Sequence, residues 1–295
     1  MKLRMYFALL ALGAVSFASC DNDDNDDIDI SNVPADVRNT FDGSYSNIAN
    51  LKWETENVSQ QSYYKAEFNN KSDNNYQTSA WYSPEGKWQM TETEMPYNAI
   101  PAPIRAAFEN SPYATWKKDN EIDKIERPDS ETVYIIEVES ATDEDVDLYY
   151  SADGVLIKAI SDMDNSNTGH GSLLPNTPSE TVTAVTTFIN EKYPNARIVE
   201  IEIESGITEI DIIHENIGKE VLLNSANEWI STSWDIFASQ LPQTVTTAIK
   251  ASSYANYTID DIEYVETPAG SYYLIELEQG KTEVKVKIDG NGRFV

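Results

Sequence analysis

Val33-Pro34-Ala35-Asp36-Val37, Ile100-Pro101-Ala102-Pro103-Ile104, Thr177-Pro178-Ser179-Glu180-Thr181-Val182 and Leu241-Pro242-Gln243-Thr244-Val245 open four segments of the chain in the same way. Each puts a proline where the first turn of a helix tolerates it, because the N–H it lacks would have no partner inside the helix. Apolar residues then recur at helical period: Val37 and Phe41; Ile104 and Phe108; Val182, Val185, Phe188 and Ile189; Val245 and Ile249.

A loop with Tyr, Ser, Asn or Pro closes each helix, and period-two alternation follows. Tyr64, Ala66 and Phe68 alternate with Lys65 and Glu67. Tyr134, Ile136 and Val138 alternate with Glu137 and Glu139. Val199, Ile201 and Ile203 alternate with Glu200, Glu202 and Glu204, and Tyr273, Ile275 and Leu277 with Glu276 and Glu278. Such a pattern predicts antiparallel strands with one covered face and one wet, acidic face. Each segment ends in a hairpin turn: Ser83-Pro84-Glu85-Gly86, Ala152-Asp153-Gly154, Ser225-Ala226-Asn227 and Asp289-Gly290. Gly and Asn accept the left-handed backbone of such turns. From opening proline to turn the separations are 52, 53, 49 and 48 residues.

These regularities predict an α+β fold of two layers. Helices pack on one face of antiparallel sheets, in tandem units of one helix and three or four strands. The repeats span about 33–95, 99–163, 177–236 and 240–295. The stretch 164–176, polar and glycine-containing, reads as a linker. It divides the chain into a domain at 33–163 and a second at 177–295.

Residues 1–19 have the layout of an export signal: Lys2 and Arg4, an uncharged apolar run from Met5 to Phe17, then Ala18 and Ser19. The run is too short to span a bilayer. Phe17-Ala18-Ser19-Cys20 resembles a lipobox, which makes Cys20 the expected lipid attachment site and the membrane a partner through that anchor. Cys20 is also the only cysteine, so no disulfide forms within the chain. Residues 20–32 read as an acidic tether, with six aspartates between Asp21 and Asp29. Acid directly behind a lipidated cysteine resembles the surface-export signal of some Gram-negative gut anaerobes. The expected location is the cell envelope, lipid-anchored, at the outer membrane and outward-facing.

Fifty acidic side chains against twenty-one basic ones give a net charge of −29. A body this negative repels phosphate backbones, which excludes nucleic acid as a partner. The excess acid serves solubility, or attracts a basic partner or loosely held cations.

Lipobox, Pro-x-x-apolar helices, acid-alternating strands and hairpins in tandem together resemble the PepSY-like, beta-lactamase-inhibitor-like lipoproteins of gut anaerobes, over nearly all of residues 33–295. The resemblance implies helices on one face of an antiparallel sheet, and a role in binding or inhibiting another protein. The inhibitor relative uses disulfides and a concave sheet face. This chain lacks the disulfides and matches none of the inhibitor's contact residues, so beta-lactamase inhibition does not transfer.

No catalytic or cofactor signature stands out. His170 and His214 have no second ligand at zinc spacing. Gly-x-Ser-x-Gly and phosphate-binding glycine loops are absent. Asp162 to Asn167 alternates oxygen ligands like a calcium loop but has Asn167 and Leu173 where Gly and Glu are needed. Asp143 to Asp147 reads as a charged hairpin. Trp81 and Trp88 are the candidate partner-binding residues, taken to share a strand face, since buried aromatics dominate interface hot spots. The function expected is an exported, non-catalytic binding or inhibitor-like module acting on an unidentified protein. The alternatives are a surface glycan-binding accessory protein and a structural envelope protein.

Overall fold

A computed structural model describes residues 28–58, 61–141, 145–161, 173–174 and 179–295. The signal segment, Cys20, His170, the Asp162–Asn167 loop and all of the linker except Leu173 and Leu174 lie outside the described residues. Helix α1 (Ala35–Ser44) leads into strands β1 (Ile48–Val58), β2 (Gln61–Asn70), β3 (Tyr76–Tyr82) and β4 (Trp88–Pro96). Helix α2 (Ala102–Glu109) leads into β5 (Lys117–Lys118), β6 (Glu121–Glu126), β7 (Val133–Glu139), β8 (Asp145–Ser151) and β9 (Leu156–Ser161). The second half holds α3 (Ser179–Lys192), β10 (Arg197–Glu204), β11 (Ile207–His214), β12 (Ile217–Leu223) and β13 (Trp229–Asp235). It ends with α4 (Gln243–Lys250), β14 (Thr258–Thr267), β15 (Gly270–Gln279) and β16 (Thr282–Ile288).

Two antiparallel sheets result, one per half. β4 pairs with β6 and β13 with β14, so the strands on either side of α2 and α4 join one continuous sheet. Pro34, Pro101 and Pro242 stand directly before their helices with φ of −53°, −52° and −57°. Val37 and Phe41 bury against Trp53, Phe68 and Tyr82. Ile104 and Phe108 bury against Ile136 and Leu148. Val185 and Ile189 meet Ile210 and Val221, and Val245 and Ile249 meet Ile275 and Val286. Each buried Val, Ile or Phe contributes roughly 1.5–3 kcal/mol.

The hairpin turns do more than reverse the chain. Gly86, Gly154 and Gly292 adopt φ of +78°, +85° and +83°, and a Cβ on any of them would come within 2.6–2.7 Å of backbone at Asp36, Pro103 or Thr244. Each contact falls two residues after an opening proline. The turn therefore rests on the first helical turn, and only glycine permits both the angle and the approach. In the last hairpin the left-handed glycine is Gly292 rather than the expected Gly290, because the turn runs through Asp289, whose carboxylate accepts from the N–H groups of Asn291 and Arg293.

The halves are packed together. On the side of the first sheet away from its helices, Tyr63, Trp81, Met90, Ile125, Val133, Ile135 and Tyr149 meet Val199 and Ile213 of the second half. Leu173 and Leu174 join them at 5 % and 2 % exposure, so this part of the expected linker is core. Arg127 donates to Leu173 O (3.2 Å), Val199 O (2.8 Å) and Glu200 Oε1 (3.2 Å). Lys158 reaches Glu200 at 2.7 Å and Asp211 at 2.8 Å. The N–H of Glu131 donates to Ile198 O. Gly218, one residue pair in from the β11–β12 turn, lies so close to β9 that a Cβ would sit 2.5 Å from Ile157 O.

Two expectations change here. The β10 alternation breaks, because a bulge between Ile198 and Glu200 puts Val199 and Glu200 both at the junction. Glu200, expected in water, is 6 % exposed. Burial opposes its ionisation, yet Lys158 and Arg127 outweigh burial and hold the carboxyl below its ordinary value. The tether also ends early: Ile28 donates its N–H to Trp53 O, and Ile30–Asn32 form a helical turn.

Glu200→Gln is expected to lower the unfolding free energy by about 3–5 kcal/mol, the cost of stripping one partner from a buried ion pair. Arg197→Ala, whose pairs with Glu131 and Asp153 lie nearer the surface, is expected to cost under about 1 kcal/mol. Urea titration of both variants checks the contrast. Gly218→Val is expected to destabilise by more than Arg197→Ala, because Ile157 backbone blocks the new side chain.

Candidate functional site

Trp81 and Trp88 do not form a shared exposed face. Trp81 pairs with Met90 across the β3–β4 hairpin, whereas Trp88 pairs with Tyr82 beyond a register shift. Trp81 is 2 % exposed in the junction core, donates its indole N–H to Glu56 (2.6 Å) and carries Lys65 over its ring. Trp88 packs on the helix side, where its indole N–H donates to Thr91 (2.9 Å), and Tyr45 Oη lies 3.0 Å from the same hydroxyl. The second half repeats this trio: Trp229 donates to Thr232 (3.0 Å) and Tyr193 Oη stands 2.5 Å from it. Of the two rings proposed for recognition, Trp81 thus fills the junction between the halves and Trp88 packs between sheet and helix.

The helix-free face of the second sheet carries a row of acids, buried at Glu200 and Asp211 in the junction and partly exposed at Glu202, Glu209 and Glu220. Pairing puts Glu202 opposite Glu209, and Asp211 opposite both Glu200 and Glu220. Ser233 continues the row from Glu220, followed by Val265 and Tyr272. Next to it lie Asp235 and Glu263, then Asp261 opposite Glu276. Strand alternation sends all of these away from α3 and α4. Burial, with Glu220 and Asp211 beside it, pushes the Glu209 carboxyl up to about 9. Burial and Glu200 push Glu202 to about 7. Glu209 therefore carries a proton at neutral pH, and a cation brought to this face would displace it.

Asp235, Asp261 and Glu263 bring one carboxylate oxygen each within 4.8 Å of one another, the donor type a hard cation uses. His214 Nδ1 is 3.3 Å from Lys219 Nζ, and Lys219 is covered by Trp234 and Tyr193, its pKa lowered by burial. In the first half a cleft of about 220 Å³ lies between Lys117, Asp119, Glu137, Glu139 and Asp147. Asp145 and Asp147, from the expected charged hairpin, are strand residues on its wall. Its lining is mostly charged, unlike the apolar pockets that hold small molecules. No helix among the described residues is long and apolar enough to cross a membrane.

These features define an antiparallel two-sheet scaffold that displays an acidic sheet face. The chain belongs to the beta-lactamase-inhibitor-like, PepSY-like family, whose model matches residues 62–158, 176–224 and 212–295. Among solved structures it is similar to a BLIP-like protein from Bacteroides fragilis, at 26 % identity and TM-score 0.41, covering 49 % of this chain and 94 % of that one. DUF2874 family proteins from Bacteroides ovatus and Bacteroides uniformis are similar at 26 % and 22 % identity. Each gives a TM-score of 0.39 and covers 44 % of this chain and 89 % of the other. No curated protein matches the chain.

Glu209 and Glu202 bind protons more tightly folded than unfolded. Their stabilising contribution is complete below about pH 4.5 and is lost as pH rises through 7 and then 9. Glu209→Gln is expected to leave Tm unchanged at pH 4. At pH 8.5 it is expected to raise Tm by roughly 2–4 °C or more, the shift about 1 kcal/mol gives in a domain of this size. Calorimetry at the two pH values measures it.

Proposed function

We propose that this chain is an exported, lipid-anchored, non-catalytic binding module. It is read as a tandem array of four helix-plus-strand units, whose second sheet engages a protein partner through the helix-free face. The observation that carries the reading is the row of carboxylates at Glu202, Glu209 and Glu220, where burial and neighbouring acids raise the proton affinity of Glu202 and Glu209 despite the pull of Lys158. A basic protein segment laid on that face would relieve the repulsion and give charge-steered association. Family membership supports a binding role, since the family is named for its likeness to an inhibitor. The glycan reading loses its motivation, because Trp81 and Trp88 are engaged inside the fold.

The anchor rests on the lipobox-like Phe17-Ala18-Ser19-Cys20. In this reading the acidic run behind it holds the folded body off an outer membrane.

Cys20→Ser is expected to move the protein from the membrane pellet to the soluble fraction, while the parent chain stays in the pellet. Protease added to intact cells is expected to cut the anchored protein if it faces outward. For binding, the immobilised chain is expected to retain a protein from envelope or culture fractions. The doubly reversed chain Glu209→Lys with Glu220→Lys is expected to lose it, as is the parent chain in high salt. Capture that is indifferent to both changes would refute the acidic face as the binding surface.

A further inference from the structure

The contact between the halves is heterologous: a face of the first receives an edge of the second. The face is the helix-free side of the first sheet around Trp81, Val133 and Ile135. The edge is Leu173, Leu174 and Val199, with Glu200 beside them. Each half also has the counterpart surface. The Tyr–Thr–Trp trios align the halves, Tyr45 with Tyr193 and Thr91 with Thr232. Tyr45 and Tyr193 each stand seven residues before a post-bulge position, Lys52 in β1 and Glu200 in β10.

Leu51 thus takes the place of Val199, and Lys52 that of Glu200. Ile28 and Ile30 precede α1 as Leu173 and Leu174 precede α3. In the first half these residues line a recess of about 370 Å³ beside Trp53. Ile30 is 50 % exposed, unusual for an isoleucine next to a formed recess. On the second sheet, register puts Leu222 where the first has Trp81, Val265 where it has Ile125, and Tyr272 and Leu274 where it has Val133 and Ile135. Leu222 and Tyr272 are half-buried there.

We propose that a second copy of this chain seats its first-half edge, Ile28, Ile30, Leu51 and Lys52, on the helix-free face of the second sheet at Leu222 and Tyr272. Copies then join head to tail by repeating the junction that joins the halves. The proposal rests on the reading of that face as a binding surface, and names its partner. Edge and face are different surfaces, so the contact propagates rather than closing at a symmetric dimer. Inside one chain, linkage supplies an effective concentration on the order of mM, so the intermolecular contact is the weaker one.

Sedimentation of residues 21–295, which hold every described element, tests it at concentrations up to about 1 mM. The average mass is expected to rise past that of a dimer. Ile30→Asp and Tyr272→Asp, both at partly exposed positions, are each expected to stay monomeric. Their mixture is expected to form a one-to-one dimer and nothing larger, since one partner keeps an intact face and the other an intact edge. A parent chain that stays monomeric throughout overturns the proposal, as does a mixture that fails to pair. If the chain is monomeric while Glu209→Lys with Glu220→Lys abolishes capture of another protein, this proposal falls and the binding-face reading stands. If neither self-association nor capture depends on the face, both fall.

Discussion

The carboxylate of Glu200 lies between Arg127 and Lys158, two cations contributed by the other half of the chain. All three side chains are at least nine-tenths buried in the closed junction, so each has given up its hydration there. Two charges brought out of water cost several kcal/mol each, and the site meets that cost only because every member is paired. Arg127 also takes the carbonyls of Leu173 and Val199, and Lys158 bridges on to Asp211. The network thereby fixes the stretch entering the second half, the bulged strand β10 and its neighbour β11 against the first sheet at once. Apolar contacts around Trp81, Ile135 and Ile213 supply area, but area tolerates sliding. The ion network and the Gly218 approach set one register.

Around α1, α2 and α4 the same parts recur. A proline starts a helix, two apolar side chains on that helix cap a sheet, and a left-handed glycine brings the closing hairpin back onto the helix's first turn. Where strands from successive units meet, β4 on β6 and β13 on β14, edges that would otherwise invite pairing with other chains are consumed. The halves differ in what covers the far side. The first sheet's helix-free face is apolar near the junction and hidden. The second sheet's face carries serines and carboxylates at many of the corresponding positions, and its acids raise one another's proton affinity. The first sheet thus carries a buried seam and the second a charged, more exposed face.

Much of this was legible in the residues. Helix starts at Pro34, Pro101 and Pro242, the paired apolar positions behind them and the hairpin turns follow from local stereochemistry, which sequence encodes within a few residues. The lipobox-like segment ending at Cys20 is an expectation from sequence alone and lies outside the described residues. The candidate site was not legible. Trp81 looked exposed because alternation marks a side chain's face without saying what covers that face. Trp88 was assigned to the wrong side because a one-residue register shift at Tyr82 is invisible in a pattern of period two.

The sequence by itself determined the local units, their order and the acid on their strands, since these depend on near neighbours and on period. Only the tertiary structure decided which acids are paired and which are crowded. Glu200, Glu202 and Glu209 are alike in the alternating pattern. A bulge at Val199 and the arrival of Lys158, forty-two residues earlier in the chain, turn the first into the lock between the halves. The other two are left to hold their protons against their neighbours. That difference lies in long-range proximity, which no spacing along the chain records.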